Sequence, residues 1–354
     1  VRQPWPAALY TQALAPPLVT PVVSATGKGY GGQRSRRHFC GNDCAETLLK
    51  LSAAMPRKRP DRRRLPLSIR LIVNVPRFIE KAHTRGADAI VLDLEDSVPA
   101  AEKASARKLV KDTLPLVGRG GAEIAVRVNN DPALLSDDID ASVWPGLASL
   151  SIPKVETAAE IERLAAQVER LERARGLPVG HVKLSIAIET TKGLLACASI
   201  ATASPRIVTM GVGPEDYCLS LGVEPSADGI ELLYGVSMVV TVCKTVGIQA
   251  VGLLGSIADF RDLAAFEGAA TRARNLGCEG AGCIHPEQVV VLNRVFSPDP
   301  QKVEYARRAV DAFEEGVKRG TASVNLDGKM VDVPVYHRAQ LILQRANAIA
   351  ELER

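Results

Sequence analysis

From residue 68 onward, short runs of apolar and β-branched residues alternate with longer stretches in which apolar positions recur every three or four residues. The first kind of run has the length and make-up of a buried strand, the second the period of an amphipathic helix. Eight strand-like runs stand out, at Leu71–Val75, Ala89–Asp96, Glu123–Asn129, Ser149–Lys154, Val182–Thr190, Arg206–Asp216, Ala250–Gly255 and Gly280–Pro286. Helix-like segments lie between them at Arg77–Arg85, Ala101–Asp112, Ala158–Arg175, Leu194–Ala203, Ile230–Val246 and Phe260–Leu276. Parallel strands joined by right-handed helical crossovers close most naturally into a barrel. The expected fold class is therefore α/β, a (β/α)8 TIM barrel.

The pattern changes at both ends. After the eighth run, Gln301–Arg319 and Val335–Glu353 read as helices, and Ser323–Asp332 reads as a hairpin on an Asp-Gly turn. This exceeds what closing a barrel requires, so 68–296 is expected to be the catalytic domain and 297–354 a lid or subunit-contact arm. Residues 1–67 carry eight prolines and one short helix-like stretch, Asp43–Ala54, and are expected to be a disordered basic extension. The head is poor in acids and bears arginines, which suits a mitochondrial targeting segment, but its prolines interrupt the amphipathic helix such segments need. Met55 lies shortly before the regular pattern, and a misassigned start is the preferred reading.

Charge is distributed unevenly. The net charge is +4, yet residues 1–67 hold twelve Lys and Arg against three acids, a balance of +9 that leaves −5 for the rest. The basic balance therefore belongs to the head, and no specific nucleic-acid partner is expected for the body. No apolar run is long enough to span a bilayer, so no membrane role is expected. Seven cysteines form no C-x-x-C pair, and five lie in apolar helix or strand contexts. They read as reduced, buried thiols of a cytoplasmic protein, or of a matrix protein in a eukaryote. His38, Cys40 and Cys44 lack the second ligand pair of a zinc site.

Polar residues gather at one place in the repeat, the C-terminal end of strand after strand. The second run ends in Asp93-Leu94-Glu95-Asp96, the third in Arg127-Val128-Asn129 and the fourth in Pro153-Lys154. The fifth ends in Glu189-Thr190, the sixth in Glu215-Asp216-Tyr217 and the eighth in His285-Pro286. In a barrel these ends form a single mouth, where active sites are built. One or two such charges would be helix caps, and Asp96, before Ser97 and Pro99, is the expected one. Glu189 and Asp216 are one βα unit apart, which places them on neighbouring strands, roughly 4.8 Å apart. Two carboxylates so placed can share Mg²⁺, or Mn²⁺, and leave positions open for water and a chelating 2-oxo or 2-hydroxy acid. The competing reading is an acidic pair neutralised by Arg127 or Lys154.

Other chemistries fit less well. No Ser-His-Asp or Cys-His arrangement is suggested, and Asn74-Val75-Pro76-Arg77 stands where a dinucleotide fingerprint would follow the first strand. A Schiff-base mechanism would need a desolvated lysine, and Lys154 is the sole candidate. With Arg127, Glu189 and Asp216 nearby, Lys154 is expected to stay protonated and bind an anion.

Taken together these motifs resemble the citrate lyase β-subunit-like group of the HpcH/HpaI aldolase superfamily, above all its CoA-dependent citramalyl-CoA and malyl-CoA lyases. The resemblance spans about residues 68–354. It rests on Gly86–Val98, the Lys103 and Arg107 pair, Arg127–Asn129, Pro153–Lys154, Ile188–Thr190, Gly213–Tyr217 and Gly282–Pro286, in that order and spacing. It implies a trimeric or hexameric TIM barrel with Mg²⁺ on Glu189 and Asp216, a CoA thioester and a 2-oxo acid as reactants, and Arg127 steadying the thioester enolate. Asp93, Glu95 and Asp96 would support those groups from behind. Lys103, Arg107, Lys154, His285 and Pro286 would meet the cofactor-like CoA substrate, although Lys103 and Arg107 also read as solvated helix charges. The segment Gly328–Pro334 resembles the family's lid motif, which makes Asp332 an acid/base acting in a neighbouring subunit's site. One departure is evident: the family begins strand one with Arg-Ser and ends it in a Pro-Gly turn, whereas here Ser68-Ile69-Arg70 and Asn74-Val75-Pro76 stand, so that either Arg70 substitutes for the displaced Arg or that substrate contact is lost. The expected function is a Mg²⁺-dependent acyl-CoA lyase. The alternatives are a metal-dependent aldolase acting on free hydroxy-oxo acids and a non-catalytic acyl-CoA-binding barrel.

Overall fold

The structure, a computed structural model, describes residues 68–73, 76–258 and 260–352. The expectations for residues 1–67, including His38, Cys40 and Cys44, lie outside the described residues. The first half of the chain runs β1 (Ser68–Val73), α1 (Pro76–Ala82), β2 (Ala89–Asp93), α2 (Lys103–Val117), β3 (Glu123–Arg127), α3 (Leu135–Ser142), β4 (Ser149–Ile152), α4 (Ala158–Ala174), β5 (Lys183–Ile188) and α5 (Thr191–Thr202). It continues with β6 (Ile207–Val212), α6 (Pro214–Leu221), α7 (Ile230–Val246), β7 (Gln249–Val251), α8 (Leu263–Leu276), β8 (Gly280–Cys283) and α9 (Pro286–Phe296). The chain then forms α10 (Pro300–Lys318), a hairpin of β9 (Val324–Leu326) and β10 (Lys329–Val331), and α11 (Val333–Leu352).

The first eight strands make one parallel sheet in the order β7-β6-β5-β4-β3-β2-β1-β8. The two ends of that order are joined by backbone hydrogen bonds from Glu279 N to Ala250 O (2.8 Å) and from Gly252 N to Gly280 O (3.0 Å). Strands buried on both faces read as continuous apolar runs, and β2 and β6 are buried at every position. Helices cover the outside. In α4, Thr157 caps the first turn by accepting from Glu160 N, and Ile161, Leu164 and Val168 form the buried stripe. One apolar cluster, including Ile90, Leu150, Ile186 and Leu292, fills the space between sheet and helices. At the N-terminal ends of β5 and β6 a buried ion pair joins Glu172 to Arg206, with Nη1 to Oε1 at 2.9 Å and Nη2 to Oε2 at 2.6 Å. Both Glu172 oxygens also accept backbone N–H groups, from Val182 at 2.7 Å and Gly180 at 2.9 Å.

The C-terminal arm has its own small core of Ala306, Ala309, Phe313, Val331 and Ala339, with Phe313 stacked on Tyr336. It meets the α/β body where Ile349 packs on the main core and Arg345 Nη2 reaches Glu279 Oε1 at 3.1 Å. Glu279 immediately precedes β8, so this contact lies at the N-terminal ends of the strands. In the hairpin, Asp327 (φ 52°) and Gly328 (φ 76°) are both left-handed, as a two-residue type I′ turn requires.

Three local expectations are corrected. The sixth strand stops at Val212, because Gly213 and Pro214 start helix α6; Asp216 is therefore on the first turn of a helix rather than at a strand end. The seventh strand is only Gln249–Val251. Helices α3, α6 and α9 are not among the helix-like segments of the sequence. Among the described residues, no helix is long and apolar enough to cross a membrane. Cys197, Cys218, Cys243, Cys278 and Cys283 are free and buried, as expected, and burial pushes the thiols of Cys243, Cys278 and Cys283 up to about 12.

Candidate active site

Asp93 and Arg127 are direct register partners at the ends of β2 and β3. Register thus delivers a bidentate pair, Nε to Oδ1 at 2.7 Å and Nη2 to Oδ2 at 2.8 Å. Asp93 also accepts the backbone N–H groups of Glu95 and Ser97 and the Ser97 hydroxyl. Burial pushes the Asp93 carboxyl up, but these bonds outweigh it and hold the group below the usual range. Arg127, although desolvated, is held firmly charged by Asp93, Glu95 and Asp96. Its Nη1 lies 3.0 Å from Glu95 Oε2.

Lys154 links this cluster to the next strands. Its ammonium lies 2.7 Å from Glu95 Oε1, 3.3 Å from Asp96 Oδ1 and 3.6 Å from Asp216 Oδ2, while its backbone N–H donates to Glu189 Oε2 at 3.0 Å. The residue is left-handed (φ 51°), a conformation costly for a side chain with a Cβ, and it persists because the backbone and the ammonium are both fixed by acids. Burial opposes the ammonium, but Glu95, Asp216 and Asp96 keep it charged.

Glu189 is the group least at ease. It is 7% exposed, and its carboxyl is pushed up to about 7 by burial and by the charges of Asp216 and Glu95, partly offset by Lys154 and Arg127. Its carboxylate lies against Gly213, where a Cβ would come within 2.3 Å of Oε1, so a side chain at 213 would displace the Glu189 carboxylate. Glu189 and Asp216 face a cavity of about 240 Å³ that Arg127, Asp96 and Arg70 also line. Two of its polar lining residues are linked behind the wall: Arg70 Nη2 donates to Thr209 Oγ1 at 3.3 Å, and Thr209 Oγ1 donates to Ser185 Oγ at 2.7 Å. Among the described residues no cluster of three or more His, Cys, Asp or Glu forms a ready metal cage. Two hard carboxylate oxygen donors, one of them buried without full compensation, do fit Mg²⁺, which keeps most of its positions for water and substrate.

Arg127, Lys154, Glu189, Asp216, Asp93, Glu95 and Asp96 are thus brought together; the remaining expected site residues are not. Lys103 turns inward and gives its ammonium protons to Leu94 O (3.0 Å), Glu95 O (3.0 Å) and Asn129 Oδ1 (2.7 Å), so it braces the acidic loop. Arg107 pairs with fully buried Asp138, Nε to Oδ1 at 2.6 Å. His285 caps α9 by accepting from Glu287 N, Pro286 opens that helix, and the imidazole stacks on Phe260 at 5.1 Å. Neither lines the cavity. Asp332 accepts from Val335 N at 3.1 Å at the start of α11 and is absent from the cavity wall. Asp96, expected to be a cap, makes no capping bond; it pairs with Lys154, and Asp93 receives the loop N–H groups instead. The sequence reading assigned no role to Gly213, Ser185 or Thr209. Polar residues inside otherwise apolar strands were the available signal for the last two.

The fold and the site together define an α/β protein with two carboxylates facing one cavity at one end of a parallel sheet. The chain belongs to the HpcH/HpaI aldolase/citrate lyase family, whose sequence profile matches residues 71–286. It is 34% identical over 276 residues to the citrate lyase subunit beta of Leuconostoc mesenteroides subsp. cremoris, covering 78% of this chain and 91% of that one. It is 32% identical over 296 residues to the L-malyl-CoA/beta-methylmalyl-CoA lyase of Cereibacter sphaeroides, covering 78% and 92%. Among solved structures it is similar to the protein CitE from Mycobacterium tuberculosis in complex with magnesium, acetoacetate and coenzyme A, with a TM-score of 0.60, 26% identity, and coverage of 79% of this chain and 98% of that one.

Proposed function

We propose that this chain is a Mg²⁺-dependent carbon–carbon lyase acting on a 3-hydroxyacyl-CoA of the citramalyl-CoA or malyl-CoA type, working as a cytoplasmic homo-oligomer, a trimer or a hexamer. The observation that carries the reading is the convergence of Glu189 and Asp216 on one cavity with Arg127 and Lys154 beside them. The lyase relatives and the magnesium- and coenzyme A-bound neighbour support the same chemistry. The sheet is taken to close as a (β/α)8 barrel, supported by the bonds between the segments of β7 and β8.

In cleavage, the 3-hydroxyl passes its proton to solvent water, the C2–C3 bond breaks as a 2-oxo acid forms, and the electron pair passes to the thioester as an enolate, whose carbon is then protonated. When bound, Mg²⁺ on Glu189 and Asp216 supplies Lewis-acid stabilisation of oxygen charge on the 2-oxo acid. Arg127, kept charged and immobile by Asp93 and Glu95, holds the negative charge growing on the thioester oxygen. Asp332 of a neighbouring copy gives the enolate carbon its proton, and removes a methyl proton in the reverse direction. Supporting an action between copies, the arm that carries Asp332 meets its own body at the N-terminal ends of the strands, away from the carboxylate pair.

The test is release of free 2-oxo acid and acetyl-CoA from a panel of 3-hydroxyacyl-CoA esters with Mg²⁺ or EDTA. Cleavage of at least one ester that stops in EDTA and returns with Mg²⁺ is expected. Equal turnover in metal-free buffer, or no ester cleaved, would overturn the proposal. Mixing Asp332→Asn with Arg127→Ala chains should restore part of the activity if Asp332 acts in trans.

A further inference from the structure

At the end of the sheet opposite the carboxylate pair, a groove of about 490 Å³ opens between the α/β body and the arm. Its size is that of a small-molecule site. Part of its wall is apolar, from Ile248, Pro298, Leu341 and Ile342. The charged groups around it are unbalanced: Lys244, Arg274, Lys302, Arg338 and Arg345 face only two acids, Glu279 and Asp299.

Those acids are already engaged. Glu279 Oε1 takes Lys244 at 2.9 Å and Arg345 at 3.1 Å, and Asp299 Oδ1 caps α10 by accepting from Gln301 N at 2.8 Å. Arg274 is steadied by Val295 O at 3.0 Å and makes no ion pair. Among the described residues, Lys302 and Arg338 have no ion-pair partner either. Three cations on three separate helices, α8, α10 and α11, thus line one concave space, and among the described residues none of the three has an ion-pair partner. Their mutual repulsion is relieved by an anion carrying several charges spread over a few ångströms, which a single carboxylate cannot offer. Guanidinium forks match phosphate oxygens in pairs, and the apolar wall suits an organic ring.

We propose that this groove binds an organic polyphosphate, with its phosphates among Arg274, Lys302 and Arg338 and its ring against Leu341 and Ile342. Since Arg274 belongs to the body and Arg338 to the arm, the occupant bridges the two. The inference does not depend on the lyase assignment.

The test uses the full chain in EDTA with ATP as probe, followed by calorimetry and hydrogen exchange. Saturable binding is expected, weakening as salt rises, with exchange protection over residues 296–302 and 338–345. The double variant Lys302→Glu with Arg338→Glu should lower affinity by about tenfold or more, whereas Glu189→Gln should leave it unchanged. If charge reversal disturbs folding, Lys302→Gln with Arg338→Gln carries the same comparison. No saturable binding at millimolar ATP would overturn the proposal. So would undiminished binding by a folded double variant, protection confined to the carboxylate-pair end, or citrate binding as tightly as ATP.

Discussion

Two glutamates are buried in the same α/β body and are held in opposite ways. Glu172, at the N-terminal ends of the strands, is fully buried and accepts two guanidinium and two backbone donors. Burial pushes its carboxyl up, but those four bonds more than offset this and hold it below the usual range. Glu189, at the C-terminal ends, is almost as buried yet keeps one backbone donor and faces two like charges, and it is pushed up to about 7. Burial is common to both. What separates the two is how many donors reach the carboxylate, four at Glu172 and one at Glu189.

The largest effect should come from breaking the satisfied pair. Glu172→Ala leaves Arg206 buried without its partner and should destabilise the fold by about 3–5 kcal/mol, read by urea denaturation. A loss under about 1 kcal/mol would show that the pair is not a structural anchor. Glu189→Gln should do the reverse in metal-free buffer: removing a buried charge whose carboxyl sits near 7 instead of 4.5 should stabilise the chain near pH 8 by about 2–3 kcal/mol. The same variant should lose the rise in melting temperature that Mg²⁺ gives the parent chain, and with it cleavage activity.

The two sites also predict opposite pH responses. Because the folded Glu189 carboxyl is raised, its stabilising contribution is present below about 4.5 and is lost as pH rises through about 7. Mg²⁺ should cancel that loss, and a metal-free stability profile flat between pH 5 and 8 would refute the contrast. Glu172, whose carboxyl is depressed, should contribute above the ordinary glutamate range and lose that contribution as pH falls through its lowered value. The smallest effect on stability is expected at Asp332, whose capping bond to Val335 N is worth about 1 kcal/mol. Asp332→Asn retains a capping oxygen, so it should leave the melting temperature almost unchanged while strongly lowering kcat; a large thermal shift with kcat intact would make the residue a cap alone.

Strands and their polar ends were legible because both follow local rules: a strand buried on two faces is an apolar run, and the polar residues begin where that run stops. What escaped the sequence depends on contacts made across the fold. Helix α3 is short and polar, and Asp138 within it is buried because Asn129 and Arg107 satisfy its carboxylate from other segments. Lys103 and Arg107 share a helix with surface-like spacing, yet acceptors from the loop after β2 and from α3 draw them inward. Asp216 was assigned the right neighbourhood but the wrong element, although Gly213-Pro214 carried a helix-start signal. The left-handed Lys154 had no signal at all, since nothing in Pro153-Lys154 dictates it.

The arm's separate apolar cluster gives the chain a joint. Cohesion within the arm comes from Phe313, Val331 and their neighbours, whereas the seam to the body is narrow, held by Ile349 and the pairing of Arg345 with Glu279. The linker Ser297–Asp299 thus joins two interiors that are packed separately, with Ile349 as the arm's apolar contact to the main core. Reach, which decides what the arm's tip can touch, is thereby set by a few residues of connecting chain and is free to drift while both packed interiors stay fixed.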